Sequence, residues 1–145
     1  MISNVFFFTK TVQSKTKFNN PRKFTPTVFR TFARILVMAP HAKLFLRYVM
    51  GYNSSFYKEA VLCIFTKLDV AREQIEIHSH QIRDTVKDRQ EYLNAYNDID
   101  VALDPFPYNV GITSHEALYM NTPLICMEGQ NYRSRIGVSL LTEYG

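Results

Sequence analysis

Apolar residues along this chain fall into two alternating patterns. Short solid or period-two runs are separated by stretches in which apolar positions recur at helical spacing. That alternation is the mark of successive βαβ units and an open, parallel α/β sheet. A first strand is expected within residues 5–18. Thr25-Pro26 then opens a helix, because Thr can cap free amides and Pro loses nothing at a first helical position. Val28, Phe29, Phe32, Ile35 and Leu36 form its apolar stripe, and Pro40 stops it. The pattern continues with a strand over 43–48, a helix over 54–68 begun by Ser54, and a short strand over 75–78. A polar helix over 85–96 follows, with Val86, Leu93 and Tyr96 as its few apolar contacts. A buried strand over 99–103 ends at Asp104-Pro105-Phe106-Pro107, where two prolines cannot continue a ladder. A loop over 108–112 leads into a helix over 113–120, then a strand over 123–127 and a last helix begun over 134–141. Four or five parallel strands are the expected total.

The 145 residues make one domain by length, with 46% hydrophobic and 21% charged residues. This balance argues against wholesale disorder. Seventeen Lys and Arg against 13 Asp and Glu leave +4. Such a charge suits an anionic ligand such as a diphosphate, or nucleic acid, and does not choose between them. The basic residues are scattered rather than gathered on one face, so a nucleic-acid partner is not expected. Cys63 and Cys126 lie inside apolar runs and read as buried free thiols, which points to the cytoplasm or nucleus. No apolar run reaches the ~18 residues a membrane span needs, so no membrane partner is expected.

In open parallel sheets ligands sit beyond the carboxyl ends of strands, where helix amino termini offer free amides and partial positive charge. The segment with the most chemistry is Asn109-Val110-Gly111-Ile112-Thr113-Ser114-His115-Glu116. Gly111 allows close backbone approach, Thr113 and Ser114 offer hydroxyls, and Glu116 offers a carboxylate to sugar hydroxyls. The same spacing, Thr113-x-x-Glu116, is also a capping box with a purely structural role. No Walker loop and no Gly-x-Gly-x-x-Gly is present. His78 and His80 lack further ligands at metal spacing and read as surface residues. Lys23 lies before the first helix, on the ligand-bearing edge. Arg133 and Arg135 read as surface charge, although either could meet an anion.

The order of motifs adds to this. Phe18-Asn19-Asn20-Pro21-Arg22-Lys23, Ala33-Arg34-Ile35-Leu36 and the run Asp100 to Asn109 resemble the carboxyl-terminal catalytic lobe of the protein O-GlcNAc transferase and SPINDLY family. Glu116-Ala117-Leu118-Tyr119-Met120, Pro123-Leu124-Ile125 and Ser134 to Thr142 continue the likeness at matching spacing. The resemblance implies a Rossmann-like, donor-binding second half of a GT-B glycosyltransferase. By it, residues 18–145 are a nucleotide-sugar-binding domain truncated at its carboxyl end, and residues 1–17 a poorly defined amino-terminal segment.

The implied reaction moves a sugar from a nucleotide diphosphate, UDP-GlcNAc in one branch and a fucose donor in the other, to protein Ser or Thr without a metal or other cofactor. The resemblance implies that Lys23 neutralises the departing diphosphate, a catalytic role. It implies further that Glu116 holds the ribose hydroxyls, that Gly111, Thr113 and Ser114 form the phosphate loop, that Tyr92 stacks on the base and that Arg89 contacts it. Val110 and Ile112 depart from the family's glycine and threonine, and His115 replaces a small residue. The implied partners are a nucleotide sugar, a protein acceptor, and the facing amino-terminal catalytic lobe with its tetratricopeptide array, which this chain does not carry. A degenerate, non-catalytic nucleotide-sugar-binding module is the alternative.

Overall fold

A computed structural model of the chain describes residues 23–48, 54–79, 86–109 and 111–144. The strand expected within 5–18, His80 and Val110 lie outside the described residues. From Thr25 onward the elements follow in the expected order. Helix α1 spans Pro26–Met38, with the Thr25 hydroxyl accepting the Val28 amide at 3.3 Å. Strand β1 is Leu44–Tyr48, helix α2 is Ser55–Thr66 with Ser54 as its cap, and strand β2 is Ile75–Ser79. Helix α3, Val86–Asn94, runs on into a 3₁₀ turn at Ala95–Asp98. Strand β3 is Ala102–Leu103, helix α4 Ile112–Tyr119, strand β4 Leu124–Ile125, and helix α5 Ile136–Tyr144.

Strands β1 and β2 pair in parallel, from Leu44 opposite Ile75 to Tyr48 opposite Ser79. Strands β3 and β4 also pair in parallel, Ala102 opposite Leu124 and Leu103 opposite Ile125. Each pair is joined through a crossover helix, α2 or α4, as a parallel connection requires. Among the described residues the four strands form two ladders, β1-β2 and β3-β4, rather than one sheet of four or five. The second ladder is short for local reasons. The 3₁₀ turn holds the Ile99 amide on the Tyr96 carbonyl, so pairing begins only at Ala102, whose amide bonds the Pro123 carbonyl at 2.7 Å.

Two apolar clusters make the core. Val28, Phe32, Ala33 and Leu36 of α1 pack with Leu44 and Leu46 of β1, Val61 and Phe65 of α2, Val70 and Ile75. The second cluster gathers Tyr96, Ile99, Ala102 and Ala117. Leu103 and Phe106 bring the strand end that follows it against the first.

Several side chains depart from expectation, Val86 among them at 86% exposed. Ile35 is 42% exposed. At 3.6 residues per turn it lies about 20° outside Val28, beyond the edge of the buried arc. Cys63 is exposed and Cys126 half-buried, both free. On α2 the inward residues are Val61 and Phe65, four apart, which turns Cys63 to the opposite side.

Gln74 closes the end of α1 from a distance. Its buried amide donates to the carbonyls of Leu36 at 3.1 Å, Ala39 at 3.3 Å and Ala42 at 3.0 Å. The Leu36 and Ala39 carbonyls also accept the Ala39 and Ala42 amides, so Gln74 ties the end of α1 to the turn after it rather than filling vacant acceptors.

Candidate functional site

The segments that follow β3 and precede α1 and α4 converge on the loop Asp104 to Asn109. The Asn109 amide donates to the Arg133 carbonyl at 2.9 Å, and the Asn109 side-chain amide donates to the Pro105 carbonyl at 3.5 Å. The Lys23 ammonium donates to the Asn109 carbonyl at 3.3 Å and stands 4.0 Å from the centre of the Tyr108 ring. Burial lowers the Lys23 pKa from its usual 10.5, against a smaller raising effect of the Asp104 carboxylate. The structure thus brings Lys23 from before α1 onto the loop that leads to α4.

Helix α4 starts differently from its capping-box reading. Gly111 is the N-cap and makes no side-chain cap bond, Thr113 is already inside the helix, and the first α-helical bond runs from the His115 amide to the Gly111 carbonyl. The Glu116 carboxylate is engaged elsewhere. It accepts from the Tyr96 hydroxyl at 3.3 Å and from Arg89 at 3.4 Å, and its side chain is only 11% exposed. Thr113 and Glu116 therefore do not cap the helix. The amides of the first turn have no helical acceptors, and the partial positive charge of the helix end lies with them.

Arg89, Tyr92 and Glu116 come together as one group. Burial, with the neighbouring Glu116 charge and hydrogen bond, pushes the Tyr92 hydroxyl up to about 12. Tyr96 is raised further by the same causes and also donates to the Thr113 carbonyl at 3.3 Å. Arg47 of β1 stands 5.6 Å from the Tyr92 ring centre. The partly exposed Arg89, 60% open at its side chain, is the outer member of the group.

Ser114 turns away from this outer surface. It is buried, and its hydroxyl donates to the Asp104 carboxylate at 3.5 Å. A cavity of about 10 Å³, near the size of one water molecule, lies between Asp104, Ser114, Thr113 and Tyr96. Gly111 is half-buried and a Cβ built on it would meet no atom within 4 Å. The fold does not itself require glycine there, and the space in front of the helix end stays open. The larger groove, about 380 Å³, lies elsewhere, against α5 and lined by Tyr132, Arg135, Val138 and Thr142 among others. Volume favours that groove. Convergent charges, a desolvated lysine and a helix amino terminus favour the loop, and these are what an anionic ligand reads.

The sequence reading assigned no site role to Asp104, Asn109, Tyr96 or Tyr108, although Asp104, Tyr108 and Asn109 stand in the run that carries the family resemblance and Asn109 opens the loop into α4. Tyr96 carried a signal: it lies four residues after Tyr92, and so shares its helix face. Arg135 is held by Glu128 at the surface, as expected of it. His78 is exposed, its ring beside Phe45. Among the described residues no three His, Cys, Asp or Glu side chains gather as a metal ion would need, and no helix is long and apolar enough to cross a membrane.

No protein-family profile matches the chain. Curated relatives do. The SPINDLY proteins of Petunia hybrida and Arabidopsis thaliana, each described as a probable UDP-N-acetylglucosamine–peptide N-acetylglucosaminyltransferase, are 30% identical to it over 128 residues. That match takes in 88% of this chain and 13% of each relative, so the chain spans about an eighth of their length. Among solved structures, a mutant of the Thermobaculum terrenum O-GlcNAc transferase superposes with a TM-score of 0.82 and 32% identity, covering 92% of this chain and 24% of that one.

Proposed function

Because this chain shares sequence and a Rossmann-like α/β fold with the O-GlcNAc transferase and SPINDLY proteins over most of its length, we propose that it is the donor-binding lobe of a nucleotide-sugar-dependent protein O-glycosyltransferase. The donor in this reading is UDP-GlcNAc and the acceptor a protein Ser or Thr. The observation that carries it is the meeting of Lys23, the Asn109 carbonyl and the loop into α4.

The chemistry follows from charge. When the acceptor oxygen bonds to the anomeric carbon, the bond to the diphosphate breaks and its electron pair leaves with the nucleotide. Lys23 and the first-turn amides of α4 face that growing negative charge, so the reading calls for no metal ion or other cofactor. The acceptor proton goes to a base on the facing lobe, which the proposal takes to be a separate part of the longer enzyme, along with the tetratricopeptide array. Tyr92 and Arg89 line the side where the base would stack, and Glu116 would take the ribose hydroxyls in place of the Arg89 contact. An intracellular, cytoplasmic or nuclear setting suits the two free thiols.

One observation favours the second reading, a degenerate module that binds the donor without turnover. The Ser114 hydroxyl is spent on Asp104, and the apolar Ile112 is exposed at the helix start, so the loop offers fewer hydroxyls to phosphate than its motif suggests.

Calorimetric titration of UDP, UDP-GlcNAc and GDP-fucose into the chain tests both readings. Binding of UDP and UDP-GlcNAc, weakened by Lys23→Ala, is expected. A folded chain that binds none of the three would sink the proposal. Binding without sugar transfer, after addition of a complete facing lobe, would select the degenerate module.

A further inference from the structure

Two cations share one aromatic ring beside the donor loop. Lys23 Nζ stands 4.0 Å from the centre of the Tyr108 ring, and the Arg133 guanidinium carbon stands 5.5 Å from the same centre. The two are also fastened to one residue. The Asn109 carbonyl accepts from Lys23, and the Asn109 amide donates to the Arg133 carbonyl. Arg133 itself is exposed, and among the described residues it makes no ion pair. Arg135, two positions on, is neutralised by Glu128.

Two cations gathered on one ring repel each other, and an anion beside them relieves that repulsion. Asp104 is the carboxylate beside Lys23, but it is buried and already accepts from Ser114. With Ser114 turned inward and Ile112 apolar, the loop has few hydroxyls for phosphate oxygens, so charge has to come from side chains.

We propose that Arg133 is a second cation of the donor site, one that reads the diphosphate of the nucleotide alongside Lys23. The inference rests on the donor-binding reading and adds a residue to it. Tyr108 holds both cations beside the loop through its ring. A guanidinium matches phosphate geometry with two parallel donors, so Arg133 would grip the outer phosphate while Lys23 meets the bond that breaks.

The test is calorimetric titration of UDP, UMP and inorganic pyrophosphate into the chain and into Arg133→Ala, Arg133→Lys and Arg133→Glu. Arg133→Ala is expected to weaken UDP and pyrophosphate by about tenfold or more, as loss of a charge-assisted contact does, and UMP by clearly less. Arg133→Lys should recover part of the loss and Arg133→Glu should deepen it. Unchanged urea midpoints establish that the fold is intact, and if the alanine variant is unstable the lysine variant decides. UDP affinity that stays within about twofold in Arg133→Ala, while Lys23→Ala weakens it, overturns this inference and leaves the donor-binding reading standing. An equal loss for UDP and UMP also overturns it. Absence of UDP binding by the unaltered, folded chain overturns both.

Discussion

At the scale of single residues, the candidate site turns on the burial of Lys23 and on what Glu116 holds. Burial disfavours the charged form of Lys23, so the folded chain holds that proton less firmly than the unfolded chain does. Stability should therefore rise as pH climbs from the lowered value towards 10.5, because the unfolded state then binds more protons. Ligand binding runs the other way, since an anion needs the ammonium. UDP affinity is expected to fall over the same pH range, and the Lys23 pKa to rise when UDP is added. Lysine side-chain NMR titration reads both, and a Lys23 signal indifferent to UDP would place the diphosphate elsewhere. Glu116 has a structural duty as well as its proposed ribose contact. Glu116→Ala removes the charged acceptor of the Tyr96 hydroxyl, and should cost about 1–3 kcal/mol in urea unfolding. Glu116→Gln keeps an acceptor for Tyr96, so it should be milder there and is the fairer variant for binding. It should also bring the Tyr92 hydroxyl down from about 12, as absorbance titration would show, because it removes the carboxylate charge that helps raise it.

At the scale of elements, the sequence is most legible where local chemistry decides. Thr25-Pro26 and Ser54 mark the starts of α1 and α2 because capping uses only nearby amides. Replacing Thr25 by Ala should cost about 1 kcal/mol, measured as a fall in the urea midpoint. The start of α4 misleads for the same reason. Thr113-x-x-Glu116 is a valid capping box in isolation, yet Gly111 begins the helix and Tyr96 and Arg89, from another element, take the carboxylate. Gln74 was equally invisible, since three carbonyls more than thirty residues away define its role. Gln74→Ala should destabilise by about 0.5–1.5 kcal/mol, the net worth of an ordinary hydrogen bond, since the Leu36 and Ala39 carbonyls keep their backbone amides. An unchanged urea midpoint would show that Gln74 does not hold the end of α1. Helix α5 is packed tightly at Gly137, where an added Cβ would lie 2.7 Å from Cys126 Cβ and 3.0 Å from Asp104 Oδ2. Gly137→Ala is expected to lose about 1–3 kcal/mol and to disturb Asp104 with it.

At the scale of the molecule, alternating apolar patterns predict βαβ units, and the structure has them as two parallel pairs of strands. What pattern does not reveal is how far each ladder extends, because a 3₁₀ turn before β3 and a proline before β4 shorten that pairing. The candidate site is assembled from three separate stretches: Lys23, the α3 group of Arg89 and Tyr92, and the loop and helix from Asp104 to Glu116. Lys23, Gly111, Thr113, Ser114 and Glu116 were legible from their residue types and place in the chain, Arg89 and Tyr92 only through motif resemblance, while the supporting roles of Asp104, Asn109 and Tyr96 appear only once the chain is folded. The central claim is that these stretches form one nucleotide-diphosphate site at the start of α4, and an amide NMR titration of the chain with UDP tests it most directly. The account predicts that the perturbed amides concentrate at Lys23, Tyr92, Asn109 and Gly111 to Glu116. Perturbations confined to the groove of Tyr132, Ser139 and Glu143 on α5, or none at all in a folded chain, would contradict it.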